Sequence, residues 1–361
     1  MTDRAKSYSR ISYSLSLAET ACLLFLLVLF TRSGLSSALA CPIKAAFGPG
    51  WALPVYLAAV YLLYSLVMFP LVFYHSFLLE HAFSLSTQNV GSWFSDQLKG
   101  GVLAYLVSLL LLSAFFWTIW RFPGSWWIVI SAIWIAVNLL IAGLAPVVIL
   151  PLFFKYRKLS DERLREKILV LAGKMGVKVL DVYEIDMSKK TVKANAGLIG
   201  WGASRRVIVG DTLREKYSQE EIEIILAHEF AHHKLRHLPK LIAFNAASAA
   251  VCFCLVYATN PFFLRLLGLR SLDDIAAVPL VFLYLVLFGL VTQPLSNLMS
   301  RKMERNADMM ALKVTGMKAS FVSAMEKLAE QNLADRDPPP LIKAFFYDHP
   351  PISERISYAN Q

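Results

Sequence analysis

Residues 125–154 read SWWIVISAIWIAVNLLIAGLAPVVILPLFF and contain no charged side chain. A helix needs about 20 mostly apolar residues to cross the hydrocarbon core of a bilayer. This stretch therefore predicts a membrane-spanning helix. Pro146 and Pro151 predict a kink or break near its end, because proline removes a helical hydrogen bond.

Five further apolar runs are long enough to span a membrane, at 12–31, 51–79, 101–120, 241–263 and 276–299. Pro70 predicts another kink in the run 51–79. The whole chain is 57% hydrophobic and 17% charged, whereas soluble proteins are about half apolar and a quarter charged. The sequence thus predicts a mainly α polytopic membrane protein with about six transmembrane helices. It argues against a soluble enzyme and a disordered chain.

One formally charged side chain, Glu19, lies inside these runs. A charge at membrane depth is costly and usually faces a cavity or a partner. Two interpretations therefore stay open for Glu19, namely a place near the interface at a helix end and a buried contact with a partner.

The basic residues lie mostly on one side of the predicted membrane. Segments 1–11, 80–100, 155–240 and 300–361 hold 31 of the 36 Lys and Arg residues. Because Lys and Arg favour the cytoplasmic face, we expect the termini and the large loop to be cytoplasmic. Acidic residues are interspersed with the basic ones, so the formal charge of +10 indicates contact with anionic lipid headgroups and not with nucleic acid.

The predicted spans and the segments between them divide the chain into four parts. Residues 1–154 form an N-terminal membrane domain of four spans. Residues 155–240 form the first part of a water-facing domain, 241–299 add two spans, and 300–361 form its second part.

Residues 218–237 read SQEEIEIILAHEFAHHKLRH. Ser218 followed by Glu221 is a capping box and predicts a helix start. On that helix His228 and His232 stand four residues apart, so both imidazoles can reach one zinc ion. Glu229 can then take a proton from water, as in the HExxH motif. The alternative is a surface helix that happens to carry paired histidines.

A catalytic zinc ion takes three protein ligands. Glu304 suits the third, and Asp308 can hydrogen-bond a ligating histidine. The alternative is a helix face on which Arg301 and Arg305 pair with these carboxylates. The other neighbouring histidines, His233 and His237, are predicted to lie on other helix faces and not to bind metal.

Two more segments are candidates for the same site. Residues 192–197 follow a β-rich stretch (179–185) and predict an edge strand that could pair with an extended substrate. In the segment 349–355, His349 and Arg355 could stabilise an oxyanion. The alternative for His349 is an ordinary residue of a C-terminal tail.

The sequence resembles the type I CAAX prenyl endopeptidases, which are integral-membrane zinc metallopeptidases. The matching motifs are EHAFSLSTQ (80–88), QLKG (97–100), PLFFK (151–155), Asn195-Ala196, HEFAH (228–232), ERNAD (304–308) and HPP (349–351).

The resemblance implies a gluzincin-like α+β peptidase domain with a small sheet, next to a chamber enclosed by membrane helices. It implies one Zn²⁺ per chain, bound by His228, His232 and Glu304, with Glu229 as the base. Asp308 would support a ligand. The further implied residues contact the substrate or the transition state, and they are Asn195, Ala196, His349 and Arg355.

The function that the resemblance implies is removal of the C-terminal tripeptide of prenylated CAAX proteins. The shorter chain and the six spans favour a prokaryotic member in the bacterial inner membrane, acting as a monomer on a peptide or protein substrate. Because most bacteria do not prenylate their proteins, membrane quality control of the heat-shock protease type is the alternative. A non-catalytic zinc-binding scaffold or transporter is a third hypothesis.

Overall fold

The computed structural model describes residues 2–200 and 205–359. Six helical stretches in it are long and apolar enough to cross a membrane, which confirms the predicted number. The helices of the first 155 residues are α1 (Thr2–Arg32), α2 (Leu35–Phe73), α3 (Glu80–Ala82), α4 (Val90–Arg121), α5 (Trp126–Leu144) and α6 (Leu150–Phe153). The other two long apolar helices are α10 (His237–Leu267) and α11 (Val278–Thr315).

The predicted interruptions are π-helical turns. One turn, Tyr74–Leu79, follows α2 four residues after Pro70, which itself lies inside α2. The other, Ala145–Ile149, joins α5 to α6 and contains Pro146. α2 starts well before the predicted span and breaks at Gly48, whose φ of 64° is a backbone conformation that residues with a side chain rarely adopt.

Glu19 has a partner within the membrane segment. Its Oε1 lies 2.9 Å from His75 Nδ1, and His75 Nε2 lies 3.1 Å from Ser12 Oγ. These contacts join α1 to the first π-helical turn and favour the second interpretation of Glu19, a contact with a polar partner.

The water-facing part contains a four-stranded sheet. Its strands are β1 (Tyr156–Lys158), β2 (Asp181–Ile185), β3 (Ala196–Ile199) and β4 (Arg206–Gly210), in the order β1-β2-β4-β3. β2 and β4 are parallel, and the two outer pairs are antiparallel. The strand predicted at 192–197 therefore begins later, at Ala196, and β3 is an edge strand.

Six further helices lie in the two water-facing segments, and those of the first segment contact the sheet. They are α7 (Glu162–Lys174), α8 (Asp211–Lys216), α9 (Gln219–Lys234), α12 (Lys318–Gln331), α13 (Pro340–Phe346) and α14 (Ile352–Ala359). Ile168, Val207 and Phe230 of the first segment are buried in one apolar cluster with Ala307 and Phe321 of the second. The two segments thus share one hydrophobic core.

α11 connects the membrane to this core without a break. Its 38 residues are roughly 57 Å long at 1.5 Å per residue, far more than the ~30 Å of a hydrocarbon core. The excess carries Glu304 and Asp308 beyond the apolar run and against α9.

Candidate metal centre

The start of α9 is fixed by the predicted capping box. Ser218 Oγ accepts a hydrogen bond from Glu221 N, and Glu221 Oε2 accepts one from Ser218 N. Glu221 is buried, which would raise its pKa, but hydrogen bonds from Lys327, Ser323 and the Ser218 backbone outweigh burial and lower it. Below the cap, Phe230 is fully buried, so the apolar face of α9 sets the direction of its histidines.

Three predicted ligand atoms converge between α9 and α11. His228 Nε2 and His232 Nε2 lie 3.0 Å apart. Glu304 Oε2 is 3.1 Å from His228 Nε2, and Glu304 Oε1 is 3.2 Å from His232 Nε2. Two imidazoles and one carboxylate are therefore arranged around a common point.

This arrangement fits a metal ion. Glu304 Oε2 is buried and, among the residues that the structure describes, has no hydrogen-bond partner, although two imidazole nitrogens lie close to it. A cation bound between the three side chains would satisfy this oxygen and the Nε2 atoms of His228 and His232. Two histidines and one glutamate are a ligand set of catalytic zinc.

Asp308 orients the first histidine. Its Oδ1 accepts a hydrogen bond of 2.7 Å from His228 Nδ1, which leaves Nε2 for the metal. Burial lowers the pKa of His228, but the hydrogen bond to Asp308 and the nearby Glu304 carboxylate outweigh burial and raise it to about 9. The centre therefore attracts positive charge.

Arg355 lies behind Asp308. Its Nε and Nη2 donate to the two carboxylate oxygens of Asp308 at 2.8 and 2.7 Å, and both side chains are buried. These bonds hold Asp308 in place, and Arg355 also lines the cleft that contains Glu229. The oxyanion contact predicted for Arg355 stays a prediction. Arg301 and Arg305 do not supply the alternative salt bridges in the described structure, since Arg301 donates to two backbone carbonyls and Arg305 lies over the Tyr358 ring.

Glu229 lies at a cleft beside this centre. The cleft has a volume of about 100 Å³, and Asn195, Ala196, His228 and His349 also line it. Burial raises the pKa of Glu229 despite the opposing effect of His228, His232 and His349. A carboxylate with a raised pKa is a stronger base, as proton transfer from water requires.

His349 approaches the same centre from the C-terminal segment. Its Nε2 lies 3.3 Å from Glu304 Oε2, and its Nδ1 donates to Asp348 Oδ1 at 2.8 Å. Burial lowers the pKa of His349, but Asp348 and Glu304 outweigh it and raise the pKa. Asp348 was missed in the sequence, because an acidic residue next to a histidine is too common to be a signal.

Asn195 and Ala196 lie at the junction of a loop with β3. The Asn195 carbonyl accepts a hydrogen bond from Gly210 N at 2.9 Å. A Cβ on Gly210 would stand 2.9 Å from this carbonyl oxygen and 2.8 Å from Met187 Sδ, so glycine is required there by space. The sequence did not indicate Gly210, since the contact joins the ends of two strands that only the sheet brings together.

His233 and His237, which follow the predicted metal ligands, differ in their burial and contacts. His233 is half-buried and has no hydrogen-bond partner among the described side chains. His237 is buried, and its Nδ1 lies 3.0 Å from His232 Nδ1. The prediction that His237 lies on another face assumed a continuous helix. The chain instead turns at Arg236, whose φ is 53°, between α9 and α10.

Comparison with known proteins matches both parts of the chain. The family model described as Peptidase family M48 matches residues 158–361. The model described as CAAX prenyl protease N-terminal, five membrane helices, matches residues 2–155, where the structure has four candidate spans.

Individual relatives agree. The chain is 31% identical over 77% of its length to an uncharacterized metalloprotease, YhfN, of Bacillus subtilis, and 29% identical over 81% to CAAX prenyl protease 1 of Saccharomyces cerevisiae. These alignments span 66% and 68% of the two relatives. The crystal structure of S. mikatae Ste24p superposes with a TM-score of 0.88 at 25% identity, covering 99% of this chain and 88% of that one.

Proposed function

The chain belongs to peptidase family M48, and we propose that it is a zinc endopeptidase. It would hydrolyse peptide bonds near the cytoplasmic membrane face. The observation that carries the proposal is the convergence of His228, His232 and Glu304 within hydrogen-bond distances, with Glu229 lining the adjoining cleft. Its membrane helices and its M48 relatives make it an integral, multi-pass protein.

His228, His232 and Glu304 would hold one zinc ion. When bound, zinc supplies Lewis-acid polarisation of the scissile carbonyl and of a water molecule. Glu229 takes a proton from the attacking water as its oxygen bonds to the carbonyl carbon, and passes it to the leaving amine as the C–N bond breaks.

The substrate would bind as an extended strand. β3 pairs with β4 alone among the described strands, so its other edge can add a substrate strand by backbone hydrogen bonds. Asn195 and Ala196 line the cleft at the start of β3 and would hold the substrate backbone. His349 would donate a hydrogen bond to the developing oxyanion, since its raised pKa favours the cationic ring.

The substrate class would be a C-terminally prenylated peptide or protein. A cavity of about 600 Å³ lies between α5, α10 and α11, and most of its lining is apolar, as around Trp134, Leu241 and Phe253. Leu238 also lines it, one residue after His237, so the cavity reaches the end of α10 nearest the metal centre. An apolar prenyl group would fit this place. Quality control of unfolded membrane proteins is the second candidate, because one similar protein, the metalloprotease YhfN, is bacterial and most bacteria do not prenylate their proteins.

The orientation and the assembly of the protein are also proposed. We place the termini and the peptidase segments in the cytoplasm from the distribution of Lys and Arg. The division at residues 154, 240 and 299, a monomeric state, a bacterial inner membrane and the absence of a nucleic-acid partner also stay predictions. The bilayer itself is the one partner that the six apolar helices require.

Hydrolysis of two substrates by the detergent-purified protein tests the proposal. The substrates are a farnesylated CAAX peptide and an unmodified unfolded protein, each with and without a chelator. We expect chelator-sensitive cleavage of the farnesylated peptide that returns with added zinc. Cleavage of the unfolded protein alone would favour quality control, and cleavage of neither would overturn the peptidase assignment.

A further inference from the structure

His237 lies directly behind the second metal-binding histidine. The residue is 1% exposed, and its Nδ1 is 3.0 Å from His232 Nδ1. A contact between two imidazole nitrogens requires one N–H donor and one lone-pair acceptor. Which of the two Nδ1 atoms carries the proton therefore depends on whether Nε2 of His232 is protonated or binds a metal ion.

The metal site determines which histidine donates the hydrogen bond. His232 Nε2 faces Glu304 Oε1 and His228 Nε2, so it must keep its lone pair free to bind a cation. The proton of His232 then sits on Nδ1 and is donated to His237 Nδ1. His237 must in turn be neutral and carry its proton on Nε2, which is buried without a hydrogen-bond partner in the described part of the chain.

The backbone is built to bring His237 to this place. On a continuous α-helix, a residue five positions on is rotated by about 140° from the first, so His237 would face away from His232. Arg236 adopts a left-handed conformation (φ 53°, ψ 44°) that ends α9 and starts α10. Such a conformation is energetically unfavourable for a residue with a Cβ. Other contacts of the folded chain must therefore stabilise this turn.

We propose that His237 is a positioning residue that fixes the tautomer and ring orientation of His232 for metal binding. It plays for His232 the part that Asp308 plays for His228, but as a neutral acceptor. The centre therefore combines one anionic and one neutral support, which limits the negative charge around the metal. The proposal rests on the proposed zinc site and adds a residue to it.

Variants of His237 separate acceptor chemistry from packing. In His237→Asn the amide oxygen takes nearly the place of Nδ1 and can still accept the hydrogen bond. In His237→Phe a ring of similar size remains without an acceptor. His233→Phe is the matched control, because His233 lies one residue after His232 and does not contact it in the described structure.

The readout is the apparent dissociation constant for Zn²⁺, from competition with a chelator, together with the spectrum of the Co²⁺-loaded protein. Loss of such a supporting hydrogen bond weakens metal binding by about 10- to 100-fold. We expect this loss and an altered Co²⁺ spectrum in His237→Phe, values near wild type in His237→Asn, and no change in His233→Phe. Size-exclusion chromatography checks that each variant is folded.

Two results would overturn the proposal. One is unchanged Zn²⁺ affinity in folded His237→Phe. The other is equal weakening in His237→Asn and His237→Phe, which would indicate packing alone. Failure of the wild-type protein to bind Zn²⁺, or full binding by His228→Ala, would instead overturn the zinc site itself, so the two failures are distinguishable.

Discussion

Asp308 holds two partners at once at the buried base of the metal centre. It accepts hydrogen bonds from His228 on one side and from the Arg355 guanidinium on the other, with no exposed surface of its own. A buried charge is tolerated only when it is paired. The three residues therefore form a unit in which a change at one side alters the other.

Asp308→Asn tests this unit. The neutral amide leaves Arg355 buried without its counter-charge, so we expect a loss of about 3–5 kcal/mol in unfolding free energy and about 10- to 100-fold weaker Zn²⁺ binding. Adding Arg355→Met should recover part of the stability. Denaturant unfolding and chelator competition measure both effects, and strictly additive losses in the double variant would contradict the coupling.

A substitution at Gly210 tests whether the position of Asn195 matters for substrate binding. Because a Cβ would stand 2.9 Å from the Asn195 carbonyl, Gly210→Ala must displace Asn195 or Met187. We expect a higher KM and a lower kcat/KM, with Zn²⁺ affinity unchanged. Gly173→Ala, in α7 and away from the substrate strand, is the control, since a Cβ there meets no atom within 4 Å. Equal kinetics for the two variants would show that Asn195 does not bind the substrate.

The sequence predicted some residues of the proposed site more directly than others. His228, Glu229 and His232 follow from spacing on one helix, whereas Glu304 and Asp308 required the assumption that two distant helices meet. His237 could not be found by helical periodicity, because a left-handed residue interrupts the helix between it and His232. The two hydrogen bonds from Arg355 to Asp308 could not be predicted, because hydropathy and spacing do not show that α14 packs against α11.

At the scale of elements, α9 is held by its N-terminal cap and its buried face. The cap links α9 to α12 through Ser323 and Lys327, which both bind Glu221. α12 in turn packs against the end of the chain that carries His349. The cap therefore connects the start of the metal helix with the C-terminal segment of the site.

Ser218→Ala removes the side-chain cap. We expect a loss of about 1 kcal/mol in unfolding free energy, with Ser218→Thr close to wild type because it keeps the hydroxyl. Thermal unfolding in detergent measures both. Equal unfolding temperatures for the alanine and threonine variants would contradict a contribution from the cap.

The pH dependence of Glu221 gives a separate prediction. Its folded-state pKa lies below the ordinary 4.5, so its stabilising effect is present above that value and is lost as pH falls through the lowered folded pKa. We expect Glu221→Gln to be less stable than wild type at pH 7 and the difference to shrink below about pH 4.5. A difference that grows on acidification would contradict the sign of the shift.

At the scale of the whole molecule, the membrane part contacts the segment that precedes β3. Val192 N donates to the Leu85 carbonyl at 3.0 Å, and Lys193 Nζ lies 2.8 Å from Glu80 Oε2. Residues 80–88 thus support the loop that leads to Asn195. The sequence predicted six spans and a divided water-facing domain from hydropathy, but hydropathy carries no information on this contact.

A double-mutant cycle tests this junction. Glu80→Gln and Lys193→Met should each lower kcat/KM by about five-fold, equivalent to about 1 kcal/mol, because the loop before Asn195 loses its support. The double variant should be no worse than either single variant. Independent, multiplying losses would show that the ion pair does not position the substrate strand.

Hydrolysis by zinc-loaded Glu229→Gln tests the central claim most directly. Because the amide cannot take a proton from water while the three ligands are unchanged, we predict about one zinc ion per chain, as in wild type, and hydrolysis of the farnesylated peptide reduced at least about 100-fold. Turnover at the wild-type rate by the zinc-loaded variant would contradict the account.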